Sequence, residues 1–388
     1  MSSDKIVVDV ASYTARQELI TWWDQSKLRA ANVLVVGAGA LGNEIVKNLA
    51  LVGVGNITIV DMDTIELSNL SRCIFFRESD DGTFKAEVLA REAERLNPYT
   101  KTRYFTTPVQ DLGDAYLQQF NLIIAGLDNR EARVWLGGAA RRAGKVWIDG
   151  AIEGLMGKVQ VFTPNGPCYA CSMGKKDWDL LAHRKACKLL GTEEILAGHT
   201  PTNATTSSII AGIQTQEAIK YLAEVDPSMH ALEDKVWHMI GEQMATFDSI
   251  IKIDEFCPFH FDPIETSHHV QLPSTLSELW PLLSLSDETQ IAFYDDFLFI
   301  HGCPSCKSAP TFGFKDLLRK QGVCQKCGVE RVVDLQSRIS KSDPLAELHI
   351  ERDFWPQHFF MQIRKADGEE RIEVTRGTKT TTWSVGQK

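Results

Sequence analysis

No stretch of this chain reaches the roughly 18 apolar residues without a charge that a membrane-spanning helix needs. The N-terminus, MSSDKIVVDVASYTARQELI, lacks the charged start and apolar core of a secretory leader. The expectation is therefore a cytoplasmic protein with no membrane partner. No repeat with a period of about 20–50 residues is visible, which sets aside a solenoid, and no long low-complexity tract is present. No basic run outweighs the net charge of −10, which argues against a nucleic-acid partner. What is present is a 24% charged fraction and 44% hydrophobic residues, enough across 388 residues for one large α/β domain and a smaller companion. Of the nine cysteines, six fall in three C-x-x-C pairs, which in a reducing compartment read as metal ligands rather than disulfides.

The stretch VLVVGAGALGNEIVKNLALVGVGNITIVDMD, from Val33 to Asp63, organises the rest. Val33 to Val36 read as a buried parallel strand, Gly37, Gly39 and Gly42 as a G-x-G-x-x-G turn opening a helix, and Ile57 to Val60 as a second strand ending on Asp61. Glycine lets the backbone approach an anion, and the free N–H groups of the helix start point at it. Asp61, about 20 residues on, can take a ribose hydroxyl. By itself this pattern also suits an NAD-dependent oxidoreductase, or a purely structural turn.

Residues 11 to 30 carry apolar positions that predict a helix, and Arg16 before them reads, on its own, as a solvated charge. After Asp61 and Asp63, Asn69 and Arg72 sit in a polar turn, and Lys85 opens a further predicted helix. An apolar strand from Phe120 to Ala125 leads into Asp128 and Asn129. Asp128 can be a Mg²⁺ ligand or the N-cap of the next helix, and both stay open.

VLVVGAGALG, VDMDTIELSNLSR, GTFKAE and GLDNREAR, in that order and spacing, resemble the ThiF/MoeB/E1 superfamily over residues 11 to 264. That family adenylates the C-terminal carboxylate of ubiquitin-like proteins. The resemblance implies an α/β, Rossmann-like adenylation domain with a mixed sheet over residues 1–264. In it Gly37, Gly39 and Gly42 cradle ATP, Asp61 binds ribose, Asn69, Arg72 and Lys85 contact phosphates, and Asp128 binds Mg²⁺. Asp63 and Asn129 join the ATP-binding set, and Arg16 would reach the ATP of a partner subunit, which implies a homodimer. The chain departs from the family pattern at Ala40, where glycine is usual, and at Cys73, where glutamine is preferred after Arg72.

Cys168 and Cys171, in GPCYACSM, lie far from Cys257 and His260, too far for spacing alone to argue one site. The resemblance implies a structural zinc closed by these two pairs, with His260 replacing a cysteine; the alternative is a surface His260 and an incomplete site. Cys303, Cys306, Cys324 and Cys327 read from their spacing as a four-thiolate zinc ribbon at about 300–330, with a redox dithiol as competitor. Two cysteines remain. Cys73 begins the apolar run CIFF and reads as a buried hydrophobe. Cys187 sits among Arg184, Lys185 and Lys188, cations that favour thiolate, within a segment, 172–206, where the family keeps its acceptor cysteine. A structural cysteine there remains an alternative. The Thr-rich HTPTNATT reads as a mobile connection, which the resemblance implies is the tail channel, followed by a helix whose core positions are Ile209, Ile210, Ile213, Ile219 and Leu222.

Residues 263 to 275 read as a linker, with His268 and His269 solvated. Beyond it, residues 265–388 form a smaller α+β domain with a strand near Ile291 to Ile300. A hairpin is predicted in which Phe359, Met361 and Ile363 alternate before Asp367-Gly368, and Ile372 and Val374 after it. Its position matches the E2-recruiting domain of conjugating enzymes. The sequence therefore predicts a compact, bacterial-type E1-like enzyme using ATP, Mg²⁺ and Zn²⁺, a thioester at Cys187, a ubiquitin-like partner with a free C-terminal tail and an E2-like acceptor. Its rivals are a sulfur-carrier adenylyltransferase, the oxidoreductase, and a non-catalytic partner that merely binds a ubiquitin-like protein.

Overall fold

Asn32–Val36 forms β1, and its unbroken apolar run is explained by its neighbours: β2 (Asn56–Val60) on one side and β4 (Leu122–Ala125) on the other, both parallel. A strand paired on both edges and covered on both faces has no polar side to show. The computed structural model describes residues 13–175, 177, 201–255, 257, 259–260, 266–314, 318–365 and 368–376. With β3 (Lys101–Phe105) and β5 (Trp147–Glu153), five parallel strands run in the order β3-β2-β1-β4-β5. Three antiparallel strands extend that sheet: β6 (Met156–Phe162), β7 (Lys235–Ile240) and β8 (Ala245–Ile250). The α/β class and the mixed sheet are as expected. Chain order reverses between β1 and β4, and the crevice beyond the C-terminal ends of those two strands is where an open α/β sheet binds its ligand.

The helices are set by short-range signals. α1 (Gln25–Ala30) is capped by Asp24, whose carboxylate accepts the Ser26 and Lys27 N–H groups. α2 (Ala40–Leu51) starts from Gly39, and α3 (Lys85–Leu96) starts at the lysine itself. α4 (Arg130–Arg142) and α5 (Ala204–Leu222) are capped by Asn129 and Asn203. The helix expected over residues 11 to 30 is instead a single 3-10 turn, Gln17–Leu19, followed by α1. Trp22 and Trp23 between them pack on the core, while Leu19 and Ile20 are exposed, so no one helical face holds all four. On α5, Ile210, Ile219 and Leu222 are buried as expected, but Ile209 is exposed because one residue turns the side chain about 100° around the axis.

The described residues divide into two compact units, one running up to Val109 and over Gln118–His260, the other taking Gln110–Leu117 and the residues after His260. The second unit has its own core, with Leu276, Trp280, Phe297, Trp355, Phe359 and Ile372 among the buried side chains. Its sheet is built on β10 (Gln290–Ile300), which pairs antiparallel with β11 (Thr311–Phe314), β12 (Val333–Ser340) and β13 (His358–Lys365). β13 and β14 (Gly368–Thr375) form the expected hairpin, with Phe359 opposite Val374 and Met361 opposite Ile372. α6 (Leu279–Leu282) also belongs to this unit.

The linker expected over 263 to 275 is overturned for Thr266–Gln271, which forms β9 in parallel with β14. The partner strand lies about a hundred residues later and supplies the ladder that the polar sequence TSHHVQ does not advertise. His269 stays exposed, whereas His268 is half-buried 3.4 Å from Glu370.

Candidate active site

The glycine turn is shaped by close backbone approach. Gly37 has φ +95, and a Cβ there would meet the Gly126 carbonyl oxygen at 2.7 Å; one on Gly42 would meet the Gly37 oxygen at 2.0 Å. Gly39 faces open space. Asn43, fully buried on α2, staples the turn: its amide donates to the Ala38 and Gly39 carbonyls at 2.9 and 3.1 Å, and its oxygen accepts the Phe75 N–H at 3.2 Å.

Asp61 follows β2 and accepts the Ala38 N–H at 2.6 Å and the Asp63 N–H at 2.8 Å. Burial pushes its carboxyl up, against those two N–H groups and Lys85. Lys85 Nζ sits 2.9 Å from Asp63 Oδ2. Asn69 is buried in a 3-10 turn, Leu67–Ser71, where its Oδ1 accepts the Glu66 N–H at 3.1 Å, and Arg72 donates from Nη1 to Ser68 O at 2.6 Å. Beneath them lies the Cys73 thiol, 3% exposed and within electrostatic reach of Arg72, Lys85 and Asp61; burial pushes its pKa up to about 11. Cys73 is thus the buried hydrophobe its sequence context predicts.

Beyond β4 the two readings of Asp128 separate. The cap of α4 is Asn129, whose Oδ1 accepts the Glu131 N–H at 2.8 Å. Asp128 is exposed and holds no hydrogen bond or ion pair among the described residues, which leaves its carboxylate free for a cation. Arg133 was not singled out by the sequence. Its side chain, 9% exposed, meets Asp149, 1% exposed, with Nε 3.0 Å from Oδ2, and its Nη2 donates to the carbonyls of Leu127 and Gly150. The signal was present as a lone acid in the apolar strand WIDGAI and a lone arginine on the buried face of α4.

Two groups of metal-ligating side chains close in space. Cys168, Cys171, Cys257 and His260 bring their ligand atoms within 4.8 Å of one another, with Sγ separations of 3.9 Å (Cys168–Cys171) and 3.5 Å (Cys168–Cys257) and Cys171 Sγ 3.2 Å from His260 Nε2. Cys303, Cys306, Cys324 and Cys327 do the same, with 3.5 Å between Cys303 and Cys327 and between Cys306 and Cys324. A tetrahedral ion with metal–sulfur bonds of about 2.3 Å puts its sulfurs about 3.8 Å apart, so both donor sets fit zinc. The first is no surface histidine beside an incomplete site: all four ligands converge, with Phe259 packed against the cluster of Cys168, Ala170 and Cys257.

The ThiF family matches residues 13–255. This chain belongs to the ThiF family. The chain is 39% identical over 155 residues to the Nedd8-activating enzyme E1 catalytic subunit of Drosophila melanogaster, covering 36% of this chain and 34% of that protein. It is 38% identical over 150 residues to ubiquitin-like modifier-activating enzyme 7 of Mus musculus, covering 36% of this chain and 15% of that one. The match thus spans about a third or less of these relatives. Among solved structures, E. coli MccB with AMPCPP and MccA superposes with a TM-score of 0.53 at 20% identity, covering 64% of this chain and 74% of that one, a likeness of fold alone.

Within this ThiF-family chain the structure brings the glycine turn, Asp61, Asp63, Lys85, Arg72 and the Asp128 loop to the ends of adjoining strands. Arg16 is not brought to them: it is exposed at the start of the Gln17–Leu19 turn and makes no hydrogen bond or ion pair among the described residues. Cys187 lies outside the described residues, as do His199 and Thr200 of the Thr-rich connection. Ala40 is the first residue of α2. Among the described residues no helix is long and apolar enough to cross a membrane.

Proposed function

We propose that this chain is an E1-like activating enzyme that uses Mg·ATP to adenylate the C-terminal carboxylate of a ubiquitin-like protein. The observation that carries the reading is the set of charges around the glycine turn. Lys85 is held beside Asp61 and Asp63 at one strand end, and an uncommitted Asp128 stands at another. Lys85, Arg72 and the free Asp128 carboxylate suit a metal-bound triphosphate better than a dinucleotide. The names of the relatives, activating enzymes of Nedd8 and of ubiquitin-like modifiers, support the same class.

In this reading a carboxylate oxygen of the substrate attacks the α-phosphorus of ATP, and the bond to the leaving pyrophosphate breaks. Asp61 holds the ribose, Asn69 positions phosphate, and Lys85, Arg72 and Arg16 of a second copy neutralise the developing charge. Asp128 would hold the Mg²⁺, which screens the phosphates. Cys187 then attacks the acyl carbon, AMP leaves, and a thioester forms that an E2-like cysteine takes over. Residues 1–264 would serve adenylation and residues 265–388 recruitment of the E2, with zinc in both cysteine groups as structural support. The enzyme would act as a cytoplasmic homodimer, in a compact pathway of bacterial type.

The test is ATP–pyrophosphate exchange with a candidate ubiquitin-like protein, together with intact mass under non-reducing conditions, wild type beside Cys187→Ala. Exchange plus a thiol-labile adduct lost in Cys187→Ala supports the whole scheme. Exchange without an adduct replaces the thioester step by sulfur-carrier adenylation. No exchange, with nicotinamide cofactor binding in its place, sinks the activating-enzyme reading.

A further inference from the structure

We propose that Arg133 is a positioning residue for the Mg²⁺ site: its guanidinium, locked against Asp149, fixes the Leu127 carbonyl and thereby aims the neighbouring Asp128 carboxylate at the nucleotide-bound metal. The inference rests on the reading of the chain as a Mg·ATP enzyme and deepens it.

Arg133 lies in the first turn of α4, its N–H bonded to Asn129 O at 3.2 Å. A helical side chain leans toward the N-terminus of its helix, which here returns the guanidinium to the strand ends from which the helix came. There Nη2 donates to Leu127 O and, at 3.1 Å, to Gly150 O, while Nε faces the Asp149 carboxylate. One side chain therefore ties the loop after β4 to the middle of β5. The loop around Asp128 is otherwise secured by the Gly126 N–H to Val36 O at 3.0 Å and by the Asn129 cap. Asp128 has no bond of its own among the described residues, so its direction is set by the backbone on either side, and Arg133 holds the Leu127 side through its guanidinium. The guanidinium charge also faces Asp128 electrostatically, together with Asp149 and Tyr169.

A buried ion pair is a poor way to obtain stability, because apolar residues of similar volume do as well. Its value here is direction. Outer-shell groups that orient a metal ligand typically change metal affinity 10–100-fold when removed.

The experiment is thermal stabilisation of the full chain at fixed ATP with Mg²⁺ titrated, and with AMP in the absence of metal. Wild type, Arg133→Lys, Asp149→Asn and Asp128→Asn are compared. The expected result is a Mg²⁺ half-saturation raised on the order of tenfold in Arg133→Lys and shifted in the same direction in Asp149→Asn. Asp128→Asn abolishes the Mg²⁺ response, and AMP stabilises every folded variant at the same concentration as wild type. Should Arg133→Lys fail to fold, Asp149→Asn decides. Mg²⁺ curves that coincide with wild type, or AMP binding weakened in parallel, overturn the positioning role and leave the proposed function standing. A wild type that ATP and Mg²⁺ together do not stabilise overturns both.

Discussion

Lys85 Nζ lies 2.9 Å from Asp63 Oδ2, although the two residues stand on opposite sides of a 3-10 turn and 22 positions apart. Burial alone would lower the lysine's pKa; Asp61 and Asp63 outweigh it and hold the ammonium above the ordinary 10.5. The charge is therefore present wherever the protein is folded at physiological pH. Removing it by Lys85→Met is expected to reduce ATP–pyrophosphate exchange about 10²–10³-fold. A folded variant with exchange near the wild-type rate would remove Lys85 from the phosphate site.

Asp61 gives a pH-dependent test with a definite sign. Its carboxyl titrates higher in the folded chain than the ordinary 3.8, with burial as the main cause. For such a group the stabilising contribution is fully present below the unfolded value and is lost as pH rises through the folded one. Asp61→Asn does not titrate. The melting temperature of the variant relative to wild type should thus climb as pH rises above the ordinary carboxylate value of 3.8 toward the raised folded one, while its ATP binding is lost. A relative melting temperature that is flat or falls with pH contradicts the burial argument.

The glycines should separate by what surrounds them. A methyl at Gly42 meets the backbone oxygen of Gly37 at 2.0 Å, and neither the turn nor the stapled helix start can yield. Gly42→Ala is expected to lower stability by about 2–4 kcal/mol through overpacking and turn strain. Gly39→Ala adds a methyl in open space and should fold like wild type, so any loss it shows in ATP affinity reports contact with the nucleotide. Denaturant melts of the two variants check the contrast, and equal destabilisation would refute it.

The legible parts of this molecule are those whose cause is local. VLVV, the glycine turn and NITIV declare two buried strands and the helix between them because the two strands pair with each other over a short span, Val33 opposite Ile57. The β13–β14 hairpin is legible for the same reason, since Phe359, Met361 and Ile372 alternate on either side of one turn. β9 was not, because TSHHVQ becomes a strand only when β14 arrives beside it. Trp22 and Trp23 misled the helix assignment by being apolar for packing rather than for period. At the candidate site the residues that would touch nucleotide stand out as motif, whereas Arg133 and Asp149 work through each other and reveal themselves only once β5 lies beside β4.

The two cysteine groups predict metal content. Their sulfurs are spaced as a tetrahedral ion requires, and the second group comes from two C-x-x-C knuckles, whereas the first draws its halves from either side of a stretch that contains α5, β7 and β8. Both are four-ligand sets, which for zinc means closed, structural sites whose binding energy is also folding energy. Metal analysis of the purified chain should therefore return two zinc ions. His260→Ala removes the ligand 3.2 Å from Cys171 and should reduce the content to one, with a lowered melting temperature, while His260→Cys restores both because the ion accepts either donor. Cys324→Ser should likewise lose one ion, and the double variant both. If His260→Ala keeps two zinc ions, His260 is no ligand and Cys168, Cys171 and Cys257 hold the metal with a fourth donor from elsewhere.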